Sequence, residues 1–330
     1  MRAIQLTAIN EMFISEVPAP QPARGEAQVR LKAAALNHRD VWIKQGQYAG
    51  ITYPVLPGSD GAGIVESVGL GGDPQWIGRE VVINPSFGWG DNEQAQGKHF
   101  TILGLPQAGT FAELITVPVA QLTEKPSHLD WIEAAALPLA GLTAYRALFS
   151  RAQLKPGEKI LISGIGSGVA SLALQFALAH GAAVYVTSSC NDKIAKAVAL
   201  GAKGGFNYTE PSWAKTAVQS GHAFDVIVDS AGGDGFEALV DLTETGGRIV
   251  FFGATKGNPP VLPIRKIFWR QLSLLGSTMG SPTDWTAMVK FVARHKISPI
   301  VSAVFPFEQT AEAFALLESG RQFGKVVIKM

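Results

Sequence analysis

The pattern of apolar and polar residues changes about a third of the way along the chain. In the first third, short runs of strand-forming residues, such as 28–32, 63–68 and 80–83, alternate with glycine and proline. Frequent turn residues between short strands are typical of compact β domains. We therefore predict a mostly β, barrel-like domain at the start of the chain.

From about Trp131 onward, apolar strands alternate with helices of amphipathic pattern. The predicted strands are residues 159–163, 183–187, 224–229 and 248–252, and the predicted helices are residues 168–180, 192–200 and 235–242. Continuous apolar strands joined by helices need cover on both faces, as in a doubly wound parallel sheet. The predicted fold class is α/β, with a Rossmann-type domain after the β domain.

The last stretch is predicted to be helical at residues 284–295 and 310–319 and to end in a strand at residues 325–329. We expect this stretch to return to the first domain. The chain contains no internal repeat and no low-complexity segment, so neither a solenoid nor a disordered interaction tail is expected.

Composition narrows the class of protein. Of the 330 residues, 47% are hydrophobic and 17% charged, which is enough to bury the cores of two domains. The 28 basic and 27 acidic residues leave no net field for nucleic acid or an anionic membrane. Every apolar stretch is too short to span a bilayer. A single cysteine, Cys190, and no signal-peptide pattern favour a reducing, cytoplasmic location.

A glycine-rich turn follows the first strand of the predicted sheet. The sequence KILISGIGSGVA (159–170) runs from an apolar strand through this turn into a helix. Backbone amides in such a turn can approach a pyrophosphate at the helix N-terminus. The glycine spacing departs from GxGxxG, and a tight strand-to-helix connection is the alternative explanation. The nucleotide hypothesis places Gly164, Gly166, Ser167, Gly168 and Val169 against the cofactor.

The second strand of the sheet ends without the acidic residue that would hold the ribose of NAD. Ser188, Ser189 and Lys193 follow it instead, and hydroxyls with a positive charge suit the 2′-phosphate of NADPH. Asp192 is expected inside the first helical turn. The alternative is a helix cap at Ser189, Asn191 or Asp192 with a solvated lysine.

Several motifs in order along nearly the whole chain resemble those of the quinone oxidoreductase branch of the medium-chain dehydrogenase/reductase superfamily, which includes zeta-crystallin. The motifs are LNHRD (36–40), PGSDGAG (57–63), LPLAGLTA (137–144), LGA (200–202), NY (207–208), DSAGG (229–233) and GKVV (324–327). The resemblance implies a GroES-like catalytic domain formed by residues 1–125 and 278–330. A Rossmann domain that binds NADPH would be inserted between them at residues 126–277, and cofactor and substrate would meet in the cleft.

The resemblance also assigns cofactor contacts. Thr143 would lie near the nicotinamide, and Lys193 and Tyr208 would lie around the 2′-phosphate, whereas Ser230, Gly253 and Ala254 would line the cofactor groove. Each of these assignments has a structural alternative. Thr143 is otherwise an ordinary helix residue, Tyr208 an aromatic at the edge of the core, and Gly253 a turn after a strand.

The sequence does not favour a metal. Zinc-dependent relatives hold a catalytic zinc with a cysteine at the segment that matches Asn37 and a histidine at the segment that matches Ser59. Asparagine and serine are poor zinc ligands, and the loop from Asn84 lacks the cysteines of a structural zinc site. The six histidines show no HxH or HxxxH spacing. Oxidation of a simple alcohol is therefore not expected.

Hydride transfer from NADPH to an already electrophilic carbon, in a quinone or an α,β-unsaturated carbonyl, remains feasible. Asn37 and Tyr48 are candidates to stabilise negative charge on the substrate oxygen, and Asp40 to fix the loop or relay a proton. The alternatives are that Asn37 closes a turn and that Tyr48 packs an edge. Arg39 either attracts an acidic substrate or, as we expect, is a solvated helix residue.

Two other functions stay open: reduction of an enoyl or acryloyl thioester, and a non-catalytic role as an NADPH-binding protein similar to a crystallin.

Residues 272–279 are predicted to form a late apolar strand at the edge of the sheet. Unpaired edges tend to be covered. The resemblance implies that this edge pairs with its copy across a two-fold axis, in a homodimer or a tetramer.

Overall fold

The computed structural model describes residues 1–330. Its strands are β1 (Arg2–Ala8), β2 (Glu11–Glu16), β3 (Glu26–Ala35), β4 (Asp60–Val68), β5 (Glu80–Ile83), β6 (Ser86–Phe87), β7 (Thr101–Ile102), β8 (Leu114–Pro118), β9 (Leu122–Glu124), β10 (Lys159–Ile162), β11 (Ala183–Ser188), β12 (Gly204–Asn207), β13 (Phe224–Asp229), β14 (Thr243–Phe251), β15 (Ser273–Gly276), β16 (Val301–Pro306) and β17 (Lys325–Lys329). Its α-helices are α1 (His38–Lys44), α2 (Trp131–Ala136), α3 (Pro138–Tyr145), α4 (Gly168–Ala179), α5 (Asn191–Ala199), α6 (Trp213–Gln219), α7 (Phe236–Leu242), α8 (Ile264–Trp269), α9 (Pro282–His295) and α10 (Thr310–Glu318).

The chain forms two compact units. The first contains Met1–Leu142 and Gly280–Met330, and the second contains Thr143–Met279. Residues 126–142 therefore lie in the first unit, whereas the resemblance implied a boundary after residue 125. The reason is that α2 packs against β3, β4 and β17 of the first unit. The helix-rich pattern begins before the chain leaves the first unit.

A mostly antiparallel sheet organises the first unit, with β3 at its centre. The strand order is β16-β17-β3-β4-β5-β9, and β8 also pairs with β3. Only β16 and β17 run parallel. Strands β3 and β17 bury all their apolar residues, and β4 buries Ala62 and Val65. Two clusters of buried side chains, one including Phe111 and Phe314 and the other Val29 and Ile83, form the core.

The register of three neighbouring strands brings distant parts of the sequence to one end of this sheet. Ala35 pairs with Asp60 of β4 on one side and with Val327 of β17 on the other. Because β17 runs antiparallel to β3, Lys325 lies level with Asn37, which directly precedes α1. These pairings make Asn37, Asp60 and Lys325 neighbours at one end of the sheet.

The second unit is built on a six-stranded parallel sheet with the order β12-β11-β10-β13-β14-β15. The order reverses between β10 and β13, and in parallel sheets of this kind ligands bind beyond the carboxyl ends of the strands at that reversal. The prediction of an α/β fold with a doubly wound parallel sheet is confirmed. Within this sheet, the strand Phe224–Asp229 has the bounds that its pattern predicts, and the other predicted strands differ by one to five residues at their ends.

The elements that the sequence pattern missed are short or lie at an edge. They include the hairpin of β1 and β2, the edge strand β12 and the short helices α6 and α8. Phe13 and Ile14 of β2 point to opposite faces and are both exposed, so the strand lacks a clear alternation of buried and exposed residues. None of the helices combines the length and apolar character that crossing a bilayer requires.

Candidate functional site

A buried ammonium group lies at the end of the sheet in the first unit. The Nζ atom of Lys325 donates hydrogen bonds to the carbonyl oxygen of Leu36 (2.8 Å), Oδ1 of Asn37 (2.7 Å) and Oδ2 of Asp60 (2.8 Å). Its side chain is 3% exposed, and that of Asp60 is fully buried. An ammonium has three N–H groups, so all of them are used. Buried charges persist in proteins when they are paired and hydrogen-bonded in this way.

Asp60 and Asn37 complete the cluster around the ammonium. Nδ2 of Asn37 donates to Oδ2 of Asp60 at 2.9 Å, and the backbone N–H of Leu139 donates to Oδ1 of Asp60 at 2.7 Å. Both oxygens of Asp60 therefore have partners. The site holds one positive and one negative side chain in direct contact, and a neutral carboxamide that is hydrogen-bonded to both. We call Asn37, Asp60 and Lys325 the polar cluster.

Asp40 lies beside the polar cluster in the first turn of α1 and is fully buried. Its Oδ2 accepts the backbone N–H of Asn37 at 2.8 Å, whereas Oδ1 has no hydrogen-bond partner. Burial raises the pKa of Asp40 to about 6, against the opposing effects of the Arg39 charge and the Asn37 hydrogen bond. A carboxyl with one unpartnered buried oxygen thus keeps a proton to higher pH than an exposed aspartate does.

Arg39 is buried, so the expectation that it is a solvated helix residue is wrong. Its Nη1 donates to Oγ of Ser59 (2.6 Å) and to the carbonyl oxygen of Leu103 (2.7 Å). Its guanidinium lies over the ring of Tyr48, 5.0 Å from the centroid. Tyr48 packs at the edge of a small core that includes Ile43, and its hydroxyl makes no hydrogen bond within the protein. Only His38 of helix α1 is exposed, so the short helix offers Arg39 no solvated face.

The residues of this site do not fit a zinc ion. A catalytic zinc needs thiolate, imidazole or carboxylate ligands, and the positions in question hold Asn37 and Ser59. The hydroxyl of Ser59 is engaged with Arg39 and with the carbonyl oxygen of Leu103. The one carboxylate of the polar cluster is paired with Lys325. No group of three or more histidine, cysteine, aspartate or glutamate residues lies together as a metal site would require.

The glycine-rich turn of the second unit lies between β10 and α4, at the reversal of strand order. Gly164 has a φ of 64°, and there is open space where a side chain would begin. Oγ of Ser167 caps α4 by accepting the N–H of Ala170 at 3.2 Å. The N–H groups of Gly168 and Val169 begin the helix and have no intrahelical acceptor. The turn therefore offers backbone donors and room, which is what a pyrophosphate needs.

The end of the second strand of the sheet holds the predicted 2′-phosphate residues. Ser188 is buried at the end of β11 and Ser189 is exposed after it. Lys193 lies in the first turn of α5, half-buried, and this burial lowers its pKa from the ordinary lysine value. Asp192 is exposed in the same turn, as the sequence predicts. The helix cap is Cys190, so the alternative of a cap at Ser189, Asn191 or Asp192 is wrong.

The remaining predicted cofactor residues follow the neighbouring strands. The backbone N–H of Tyr208, after β12, donates to the carbonyl oxygen of Ser188 at 3.0 Å, and its side chain is exposed rather than at the edge of the core. Ser230 follows β13, and Gly253 and Ala254 follow β14. A Cβ at Gly253 would lie 3.1 Å from the carbonyl oxygen of Ser230, so this close approach favours glycine.

Thr143 is the first residue of the second unit and lies within α3. It is buried, and its Oγ1 contacts the sulfur of Met279 at 3.9 Å. The structure thus gathers the turn, Ser188, Tyr208, Ser230 and Gly253 along the carboxyl edge of the parallel sheet. In the first unit it gathers Asn37 and Asp40, and it joins Tyr48 to them only through Arg39.

Sequence reasoning missed five polar residues at these two places. In the second unit, Oγ of Ser163 donates to Oδ1 of Asp229, whose Oδ2 accepts the N–H of Gly232 at 2.8 Å. Oγ1 of Thr187 accepts the N–H of Gly164 at 3.2 Å. The signal was a buried polar residue at the end of an apolar strand. Asp60 and Lys325 instead begin β4 and β17, and no local sequence pattern marks them.

Comparison with known proteins agrees with this two-unit architecture. The family model for the alcohol dehydrogenase GroES-like domain matches residues 23–127, and the model for zinc-binding dehydrogenase matches residues 168–294. A solved structure titled as an NAD-dependent alcohol dehydrogenase is 40% identical and covers all of both chains, with a TM-score of 0.94. The predicted combination of a GroES-like domain and a Rossmann domain is therefore confirmed.

Relatives by sequence carry different names. The zinc-type alcohol dehydrogenase-like protein YogA of Leptosphaeria maculans is 35% identical over 96% of this chain and 94% of its own length. A crotonyl-CoA reductase of Streptomyces collinus is 29% identical over 96% of this chain and 80% of its own length. The chain therefore belongs to the medium-chain dehydrogenase/reductase superfamily and is an oxidoreductase.

Proposed function

We propose that the protein transfers a hydride from NADPH to a quinone or an α,β-unsaturated carbonyl without a metal ion. The observation that carries the proposal is the polar cluster, in which the carboxamide of Asn37 stands at the position that matches a zinc-binding cysteine and is hydrogen-bonded to a buried ammonium and its paired carboxylate. A substrate that is already electrophilic needs no Lewis acid. It needs hydrogen-bond donors for the charge that develops on its oxygen.

A bound nicotinamide supplies the hydride, and the chain's residues must manage charge and proton. Asn37 has a second N–H on Nδ2 that no protein atom accepts, and the Tyr48 hydroxyl is without a protein partner, so both are able to donate to a substrate oxygen. Asp40 keeps its proton up to a pH of about 6 and adjoins Asn37. These groups support a role for Asn37 and Tyr48 at the oxygen and for Asp40 in a proton relay.

The names of the relatives suggest two other substrates, an enoyl thioester and an alcohol. The residues of the site support the first and not the second. Similarity to a crotonyl-CoA reductase supports reduction of an enoyl thioester. An enoyl thioester is also a conjugated carbonyl compound, and its oxygen needs the same hydrogen-bond donors, Asn37 and Tyr48. Similarity to zinc-type and NAD-dependent alcohol dehydrogenases points to alcohol oxidation. That reaction needs a strong electrophile on the alcohol oxygen, and the donor set of Asn37, Ser59 and Lys325 provides none.

The choice of NADPH rests on the residues after β11. No acidic side chain stands at the strand end to bind a ribose 2′-hydroxyl, since Ser188 and Ser189 occupy that place. Lys193 contributes a positive charge from the first turn of α5, where the helix dipole also favours an anion. A 2′-phosphate would gain charge-assisted hydrogen bonds here.

A homodimer, or a tetramer of dimers, is part of the proposal. Strand β15 is the outer strand of the parallel sheet, so one row of its backbone groups is unpaired. Helix α8, which precedes it, exposes Phe268 (62%) and Trp269 (81%). An apolar patch beside an open strand edge fits a copy of itself across a two-fold axis.

Turnover with a metal chelator present tests the function. We expect NADPH oxidation with quinones or enones, and equal rates before and after dialysis against a chelator, because the residues of the site do not fit a zinc ion. An absorbance assay over quinones, enones, enoyl thioesters and alcohols measures this. Elemental analysis that found one zinc per chain, lost together with activity, would show that the proposal is wrong, and so would activity on alcohols alone. Absence of all turnover would leave a non-catalytic NADPH-binding protein.

Charge reversal at Lys193 tests the cofactor. Lys193→Glu is expected to weaken NADPH binding about ten- to hundred-fold and to leave NADH nearly unchanged, since only NADPH has the 2′-phosphate and one charge-assisted bond contributes about 1.5–3 kcal/mol. Calorimetric titration measures both dissociation constants. Lys196→Glu is the matched control, because it makes the same charge change one turn later on α5. Equal weakening of both cofactors by Lys193→Glu would refute the assignment.

Sedimentation tests the assembly. The chain has a mass of 35.0 kDa, so we expect a species of twice or four times that mass at micromolar concentration. Trp269→Glu is expected to shift the equilibrium toward the monomer, because it introduces charge into the apolar patch. Phe13→Glu serves as the control, since Phe13 is also an exposed aromatic but belongs to the first unit. A wild-type protein that sediments only as a monomer contradicts the prediction.

The raised pKa of Asp40 predicts how stability changes with pH. Between about pH 4 and pH 6 an unfolded aspartate loses its proton while the folded Asp40 retains it, so the folded state loses stability as the pH rises. Relative to Asp40→Asn, the wild type should lose up to about 3 kcal/mol over this range, at about 1.4 kcal/mol per pKa unit. Denaturant unfolding at pH 4.5 and 7.5 measures the difference.

The control for this measurement is Asp91→Asn, because Asp91 is exposed in a loop. Its pH dependence should follow that of the wild type. If the Asp40→Asn variant follows it as well, Asp40 does not retain its proton in the folded protein.

A further inference from the structure

The two partners of the Asn37 side chain have opposite hydrogen-bonding character. Lys325 only donates, and it faces Oδ1 at 2.7 Å; the Asp60 carboxylate accepts, and it faces Nδ2 at 2.9 Å. A carboxamide that was turned over would point its oxygen at a carboxylate and its N–H groups at an ammonium. The ion pair therefore permits one orientation of the amide.

This orientation leaves one N–H of Asn37 for another acceptor. Nδ2 carries two hydrogens, and Asp60 takes one of them. Asn37 is 8% exposed and Lys325 is 3% exposed, and the ammonium uses all its N–H groups on Leu36, Asn37 and Asp60. The ammonium has no hydrogen left for a substrate. Any effect of Lys325 on the reaction must act through Asn37.

We propose that Lys325 is a positioning residue, which with Asp60 fixes the carboxamide of Asn37 so that its free N–H is presented to the substrate oxygen. The inference rests on the proposed hydride transfer to a carbonyl compound. The ammonium on Oδ1 also draws electron density from the amide, and hydrogen bonds in such a chain strengthen one another. Lys325 thus makes Asn37 both a better oriented and a stronger donor.

A double-mutant cycle in kcat tests the coupling between these residues. The variants are Lys325→Met, which keeps the length of the side chain but removes its charge, Asn37→Ala, and the two combined. Loss of an oxyanion donor typically lowers kcat about a hundred-fold, and misplacing one by about 1 Å is similarly costly. We expect Asn37→Ala to lower kcat about a hundred-fold, and Lys325→Met at least ten-fold. The combined variant should be no slower than Asn37→Ala.

Independent effects of the two substitutions would contradict the proposal. If the two substitutions multiply in their effects on kcat, Lys325 does not act through Asn37 and the proposal is wrong. The dissociation constant of NADPH is measured for every variant and should not change, because the polar cluster belongs to the first unit and the glycine-rich turn to the second.

A further variant separates positioning from folding. Lys325→Met leaves the buried carboxylate of Asp60 without its cation, so it is expected to lower the unfolding temperature. Adding Asp60→Asn removes that unpaired charge and should restore much of the stability. The carboxamide of Asn37 still lacks the donor on Oδ1, so kcat should stay low. Recovery of kcat together with the unfolding temperature would mean that Lys325 only stabilises the fold.

A measurement without substrate tests whether Lys325 fixes the Asn37 carboxamide, independently of the proposed function. In protein labelled with ¹⁵N-asparagine, the side-chain resonances of Asn37 are identified by their loss in Asn37→Ala. We expect two well-separated proton signals in the wild type, and both should shift in Lys325→Met. Unchanged signals would overturn the proposal. If the signals shift but the protein reduces no carbonyl compound, the positioning of Asn37 by Lys325 is supported. Only the proposed hydride transfer to carbonyl compounds is then refuted.

Discussion

The structure of the first unit depends on the burial of one ammonium group. Lys325 is surrounded by apolar strands, and its charge is tolerated only because the carboxylate of Asp60, the carboxamide of Asn37 and a backbone carbonyl receive all its hydrogens. Lys325 and these acceptors come from three neighbouring strand ends, and only the observed register of β17, β3 and β4 brings them together. A slip of one residue would leave a charge buried without partners. The ion pair thus helps to specify the register as well as the site.

The second unit obeys a constraint of a different kind. Its polar groups are mainly backbone N–H groups at the start of α4 and short side chains that hold the strand ends in place. The Asp229 carboxylate accepts hydrogen bonds from Ser163, which directly follows β10, and from Gly232 in the loop that follows β13. Such a site depends on the sheet topology more than on any one functional side chain, and for this reason a glycine turn that departs from GxGxxG still has the geometry for an anion.

The fold could largely be predicted from the sequence because its signals are local. Apolar strands alternating with amphipathic helices identify the parallel sheet, and the glycine turn lies at the expected strand end. The polar cluster could not be predicted, since it joins positions that are 265 and 288 residues apart. A lysine in the short sequence GKVV looks like a solvated edge residue until the register is known. The burial of Arg39 could not be predicted for the same reason: a charged residue in a short helix ordinarily faces water, and only its tertiary partners explain its burial.

The distance along the chain between Asp60 and Lys325 also has a consequence for biosynthesis. A ribosome makes the whole second unit, Thr143–Met279, after Asp60 and before Lys325. The second unit has all its strands by then and is able to fold as it emerges, as domains generally do. The first unit has to wait with a carboxylate that lacks its cation and with a central strand, β3, that lacks one neighbour. The nascent chain therefore carries an incomplete, strand-rich intermediate for most of its synthesis, and this is the stage at which a chaperone would have most to protect.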